Sequence, residues 1–274
     1  MSFLKDFVEG QFFSADSRTY WNPWHFGLKG EPFSCQSASG AVIDALVLPA
    51  QKDQKYCAPK GTVFYFHSAQ FNLQYNLMQV AYLAHEGFTV VLFDYGGCGR
   101  STGRSSVRSM VDNAEAVYEW MQNEGGEWCT PQNLALFAQG VGCDAALGFL
   151  NRHQDSVRGL VLESAYATRK GWIRDRFGPI VGDFLAKQVE EADPTPCEML
   201  SQIRKPLIVV CPGRDSFIHA AQRKAVLDAV PQQAEVWKVH GKSFLGVFSG
   251  NRSEWHDALV RFFAKKCFSG KGQA

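Results

Sequence analysis

The sequence carries almost no net charge, no long apolar run and no closely paired cysteines, and each absence removes a class of function. Lys and Arg total 28 against 27 Asp and Glu, a formal charge of +1 over 274 residues. So evenly matched a chain has no electrostatic pull toward nucleic acid or an anionic membrane, and neither is expected as a partner. No window approaches the roughly 20 apolar residues that span a bilayer. Met1 to Phe13 lacks the basic start, apolar stretch and small-residue cleavage site of a signal peptide. The eight cysteines (Cys35, Cys57, Cys98, Cys129, Cys143, Cys197, Cys211 and Cys267) are scattered, without the short spacing of a structural zinc site, so no metal or other cofactor is expected. Free thiols without an export signal point to the cytoplasm.

What the chain does have is material for a core: 46% of its residues are hydrophobic and 13% aromatic, enough for one globular domain over residues 1–274. From about Glu31 short β-branched or aromatic runs alternate with longer helical patterns, the rhythm of βαβ units around a mostly parallel sheet. Strands are expected at Ala41–Leu48, Thr62–Phe66, Thr89–Phe93, Leu134–Phe137, Arg158–Leu162, Leu207–Cys211 and Ala234–Val239. Several are apolar throughout, as strands covered on both faces should be. Helices are expected at Leu73–His85, Val107–Asn123, Cys143–Arg152, Gln222–Ala229 and Glu254–Lys266. Residues 166–203 break the rhythm with aromatic, charged and Gly-Pro elements and read as a small helical cap between two strands. The tail from Ser269 is expected to be loose. Residues 1–20 form an N-terminal extension, in which Phe3, Leu4, Phe7 and Val8 make a short apolar stripe. Packing on its own domain is the commoner fate of such a stripe; a peripheral membrane contact through Phe3–Phe13 is the alternative.

Two strand ends carry the chemistry. Val63-Phe64-Tyr65-Phe66-His67-Ser68-Ala69-Gln70-Phe71-Asn72 runs from an apolar strand into a polar turn, and Phe93-Asp94-Tyr95-Gly96-Gly97-Cys98-Gly99-Arg100-Ser101 leaves a strand into a glycine-dense one. Together they resemble the His-Gly-Asn-Ala loop and the Asp-Tyr-Arg-Gly-Tyr-Gly-Arg-Ser turn of α/β-hydrolases related to the serine aminopeptidase S33 and BEM46-like group. The resemblance runs from about Asn22 to Phe263. It implies an α/β-hydrolase fold and a Ser-His-acid triad on a strained strand-to-helix elbow, Gly-x-Ser-x-Gly.

At the matching place this chain reads Ala138-Gln139-Gly140-Val141-Gly142. By the family register Gly140 stands where the nucleophile should be, Asp215 in Pro212-Gly213-Arg214-Asp215 at the acid, and Phe244 in Gly241-Lys242-Ser243-Phe244 at the histidine. The oxyanion side would be formed by the loop at His67 and Ser68, where relatives carry glycine after the histidine, and by the backbone amide of Val141. Loss of a triad costs a serine hydrolase about a million-fold in rate and leaves ~10³ to 10⁴ over water. Such a chain is therefore read as a non-catalytic binder of a small apolar or acyl-type ligand, or of a protein partner.

Two competing readings were open at this point. In one, His240 with Asp215 activates water, or Cys143 replaces the serine, giving an unconventional ester or acyl hydrolase. Alternatively Gly140-Val141-Gly142-Cys143-Asp144-Ala145 formally satisfies Gly-x-Gly-x-x-Ala, with Glu163 ending the next strand, a nucleotide-binding pattern. Asp94 and Asp215 are equally ordinary turn formers. The cap aromatics Trp172, Phe177 and Phe184 are candidates to close over an apolar ligand.

Overall fold

The computed structural model describes residues 3–269. Helix α1 (Phe3–Glu9) leads into strands β1 (Glu31–Gln36), β2 (Val42–Leu48) and β3 (Thr62–Phe66), then α2 (Leu73–His85), β4 (Thr89–Phe93), α3 (Val107–Asn123), β5 (Leu134–Gln139), α4 (Gly142–Arg152) and β6 (Val157–Glu163). Three cap helices follow, α5 (Arg169–Phe177), α6 (Pro179–Ala186) and α7 (Pro196–Ser201), before β7 (Leu207–Arg214), α8 (Ala220–Ala229), β8 (Glu235–Ser243) and α9 (Glu254–Phe262). The strands form one sheet in the order β8-β7-β6-β5-β3-β4-β2-β1. It is parallel from β8 to β4, while β2 and β1 run antiparallel.

Every residue of β3, β4 and β5 is buried because both faces are covered. The period of two sends Phe64 and Phe66 of β3 to the face packed by α3 and α4, and Val63 and Tyr65 to the face packed by α2 and α9. Helix starts follow their caps: the Asn72 carboxamide oxygen accepts from the Tyr75 amide at 3.2 Å, and the Ser106 hydroxyl from the Ser109 amide at 3.1 Å. The helix expected at Glu254–Lys266 is α-helical to Phe262 and continues over Phe263–Cys267 as a wider π turn.

Strand β1 was not anticipated. Glu-Pro-Phe-Ser-Cys-Gln alternates between half-buried and exposed and carries a proline, which only a sheet edge tolerates. Its Phe33 stacks on Trp120 at 3.6 Å.

The interval 166–203 holds α5, α6 and α7. Within it Trp172 is buried, whereas Phe184 points outward and is 54% exposed, so Phe184 does not close over any interior space. The tail beyond Ser269 lies outside the described residues; the Ser269 hydroxyl itself donates to the Lys265 carbonyl at 2.7 Å. No described helix is long and apolar enough to cross a membrane.

The N-terminal extension packs on the domain. Val8 and Phe12 are buried, and Ser14–Ala15 pairs in parallel with Gln70–Phe71. Asn72 donates to the Arg18 carbonyl at 2.7 Å, so this arm is tied across the loop that follows β3.

Candidate functional site

Strand β5 ends in an abrupt turn into α4 with Gly140 at its apex, at φ +54°, a left-handed conformation that costs any residue with a Cβ roughly 1–2 kcal/mol. Its amide donates to the Glu163 carbonyl at 2.9 Å, which ties the turn to β6. Two residues on, Gly142 meets a different demand: a Cβ there would lie 2.4 Å from the carbonyl oxygens of both Phe66 and His67. Gly142 thus lets α4 sit directly against the end of β3, and the glycine pattern serves helix-on-strand packing. Glu163, the acid of the nucleotide reading, is fully buried and accepts from the Gln139 carboxamide at 2.6 Å, out of reach of any ribose.

A side chain at 140 would point into occupied space. A Cβ built there lies 3.1 Å from Phe244 Cζ and 3.2 Å from Ser68 Cβ. The three residues come from the ends of β5, β8 and β3 and meet at one place. From Phe244 an aromatic column continues outward. Phe217 stacks on Phe244 at 4.8 Å, Trp172 packs on Phe217 at 5.0 Å, and Phe12 of the N-terminal arm packs on Trp172 at 4.7 Å. The Trp172 indole N–H is satisfied by the Phe217 carbonyl at 2.7 Å.

Asp215 joins this column through its turn. One carboxylate oxygen accepts from the amides of Phe217 at 2.9 Å and Ile218 at 3.0 Å, which fixes the turn that presents Phe217 to Phe244. His240 is exposed on the edge strand, and among the described residues it forms neither a hydrogen bond nor an ion pair with Asp215. The two are not brought together as an acid–base pair. Cys143 is buried in the first turn of α4 with its thiol 3.6 Å from the Glu163 carbonyl. Burial pushes this thiol well above its ordinary pKa, with Asp144 and Glu163 adding to the effect, so it stays protonated and unreactive.

On the oxyanion side His67 is buried, its Nδ1 accepting from the Ala69 amide at 3.1 Å. That bond puts the proton of a neutral ring on Nε2, 3.4 Å from an Asp94 carboxylate oxygen. Asp94 accepts from the Leu73 amide at 2.8 Å at the start of α2, while His67 Nε2 has no hydrogen-bond partner among the described residues. Ser68 is buried and accepts from the Gln70 amide at 3.3 Å. Among the described residues the backbone amides of Ser68 and Val141 have no acceptor.

Beneath and beside the elbow lie two polar clusters that sequence reading missed. In one, Gln139 links Tyr65, Gln79 and Glu163, and Gln79 donates to the Leu245 carbonyl at 3.0 Å. Burial raises the Glu163 carboxyl to about 8. In the other, the fully buried Arg169 pairs with Asp144 at 3.0 Å and reaches Glu9 at 3.5 Å, while the Tyr166 hydroxyl donates to Asp144 at 2.6 Å. The Arg169 guanidinium lies over the Phe12 ring at 4.8 Å. The only sequence signal for this cluster was a helix-start aspartate and one of three cap arginines, which no spacing rule joins.

The strand order, with the elbow on β5, the acid turn after β7 and the last loop after β8, is a full description of the fold. The chain has the α/β-hydrolase fold. Residues 58–190 match the family described as serine aminopeptidase, S33. The uncharacterized protein YfhR of Escherichia coli (strain K12) is 24% identical over 159 residues, which cover 57% of this chain and 54% of YfhR. The uncharacterized protein Rv2307c of Mycobacterium tuberculosis is 24% identical over 188 residues, 68% of this chain and 63% of that protein. The chain therefore spans between half and two thirds of the curated relatives it matches. Among solved structures, the Pyrococcus furiosus esterase Pf2001 superposes with a TM-score of 0.74 at 14% identity, over 93% of this chain and 99% of that one. The α/β hydrolase GrgF from Penicillium gives 0.68 at 13% identity, over 88% and 99%. At such identities the likeness is one of fold.

Proposed function

We propose that this α/β-hydrolase-fold chain is a non-catalytic binding protein, a pseudo-hydrolase whose triad positions serve packing. The observation that carries this reading is the contact of Phe244 and Ser68 with the space a side chain at Gly140 would need. A serine hydrolase requires an oxygen nucleophile at the elbow and an imidazole beside it. Here the first position has no side chain and the second is a phenyl ring stacked on its neighbour. Asp215 is engaged in its own turn, the thiol of Cys143 is buried, and the imidazole of His240 is exposed and, among the described residues, makes no hydrogen bond to Asp215. Glycine at the apex also suits a turn whose left-handed φ would strain a serine.

The binding role takes a small apolar or acyl-type ligand, or a protein partner. For the partner, the outward faces of α1 and α6 leave Phe3, Phe7, Ile180 and Phe184 exposed, side chains that a docked protein would cover. All eight cysteines are free thiols, which suits a reducing compartment such as the cytoplasm.

The test is a fluorophosphonate probe together with a panel of short acyl esters. No labelling and no turnover above the buffer rate is expected. Labelling or turnover that disappears in Cys143→Ser or His240→Gln would overturn the proposal in favour of an unconventional hydrolase.

A further inference from the structure

On the far side of the Asp94–His67 pair from the elbow, the segment 21–30 stands away from β2 and α2 and encloses an open groove of about 650 Å³. Its floor is apolar, made by Leu28, Leu46, Leu73 and Leu77, all buried in the protein core. Trp21 and Trp24 wall it and are 39% and 68% exposed, large aromatic surfaces left open to solvent. They are held rigidly. The Asn22 amide donates to His25 Nδ1 at 3.0 Å, the His25 ring stacks on Trp24 at 3.5 Å, and His85 anchors the turn to α2 through the Phe26 carbonyl at 2.8 Å. A platform fixed in advance loses little freedom when a ligand lands on it.

The rim is charged: Lys29 lies with its ammonium over the Tyr56 ring at 5.6 Å, while the charges of Asp44 and Arg100 are unspent. Asp44 and Arg100 both face the groove, and both also line a smaller hollow that runs in toward Asp94 and Asn72. Among the described residues neither the Asp44 carboxylate nor the Arg100 guanidinium has a hydrogen-bond or ion-pair partner, and the two do not pair with each other. Gln74, between them, accepts from the Tyr20 amide at 3.2 Å and keeps its N–H₂ group for another partner. The half-buried Asp44 has its carboxyl raised by burial and by Asp94, so a cation there would be welcome.

An anion alone would meet the Asp44 charge, and a purely apolar molecule would bury both charges without partners, which is costly. A ligand carrying both signs on an apolar body satisfies every group. We propose that this groove binds a small zwitterion with an apolar body, the chemistry of a hydrophobic amino acid or a di- or tripeptide of such residues. Arg100 takes the carboxylate in its planar fork, Asp44 the ammonium, and the body lies between the two tryptophans and the leucine floor. This names a ligand class for the binding role proposed above and rests on that reading, although the groove shares no lining residue with the Gly140 turn.

The experiment is calorimetric titration of the full chain, with tryptophan fluorescence in parallel, using phenylalanine and the dipeptide phenylalanyl-leucine as the two sources. Each is compared with its N-acetyl and its C-amide derivative. Saturable binding of at least one source is expected, weakened about tenfold or more by either derivatisation, since each removes one charge-assisted contact. In Arg100→Gln, a surface change that leaves the fold intact, amidation should make no further difference; in Trp24→Ala every affinity should fall together. Absence of saturable binding by both sources up to about 10 mM, weaker than the millimolar affinities of poor sites, overturns the proposal. So does binding of the acetylated and amidated forms as tight as that of the parent compound, which needs no variant to interpret. Ester turnover without zwitterion binding sinks both readings; zwitterion binding beside ester turnover sinks only the non-catalytic one.

Discussion

Replacing Gly140 with alanine is expected to strain the elbow in two separable ways. The apex φ of +54° costs an alanine roughly 1–2 kcal/mol relative to glycine, whatever surrounds it. The added methyl also lies 3.1 and 3.3 Å from the Phe244 ring and 3.2 Å from Ser68 Cβ, closer than carbon atoms rest comfortably. Ser68 Cβ is attached directly to the backbone and gives little, so the ring must move, and overpacking of this kind costs about 1–3 kcal/mol. The single variant should therefore lose about 2–5 kcal/mol in urea unfolding, read as a lower midpoint at unchanged slope. Phe244→Ala alone should lose about 1–2 kcal/mol, the half-buried ring and its stack on Phe217. The decisive quantity is the double variant Gly140→Ala/Phe244→Ala. Removing the ring relieves the collision but not the backbone strain, so the double variant should be more stable than the sum of the singles by about 1–3 kcal/mol. If the two losses simply add to within about 0.5 kcal/mol, Phe244 does not occupy the space above Gly140 and the reading of the site is wrong.

Three further outcomes follow from the buried polar groups. The Glu163 carboxyl is raised to about 8 in the folded protein against 4.5 unfolded, so below about pH 4.5 it is neutral in both states. Between these values only the unfolded chain ionises, and stability should fall as pH rises, by at most ~1.4 kcal/mol per pH unit. Glu163→Gln should flatten that slope in a pH series of urea midpoints; an unchanged slope would remove Glu163 as its source. Arg169→Ala leaves Asp144 buried without its partner and frees Glu9, and should cost about 3–5 kcal/mol with faster proteolysis of the N-terminal arm; a loss under 1 kcal/mol would mean the cluster is solvated. Iodoacetamide at neutral pH should modify the exposed Cys57 and spare Cys143 until the chain is unfolded. Peptide mapping that finds native Cys143 alkylated first would restore it as a nucleophile.

The sequence by itself determined seven of the eight strands of the sheet. Strands such as Thr62–Phe66 and Thr89–Phe93, and helices such as Leu73–His85 and Val107–Asn123, stand where apolar period and cap residues place them, because those signals are local and report which face of its own element a residue shows. The resemblance to the hydrolase family, through its register, picked out Gly140, Phe244 and Ser68 at the ends of three strands. Tertiary structure alone decided what fills the space there. Phe12 reaches the cap from a segment far away in the chain, Arg169 finds Asp144 and Glu9 across three elements, and Trp21 and Trp24 form a groove only because segment 21–30 stands off α2. Asp215 and His240 form no hydrogen bond among the described residues: Asp215 is held in a turn hydrogen-bonded within itself, and His240 is exposed on an edge strand. None of these contacts leaves a period in the sequence, since each depends on how elements pack against one another and on which polar groups that packing leaves to be satisfied.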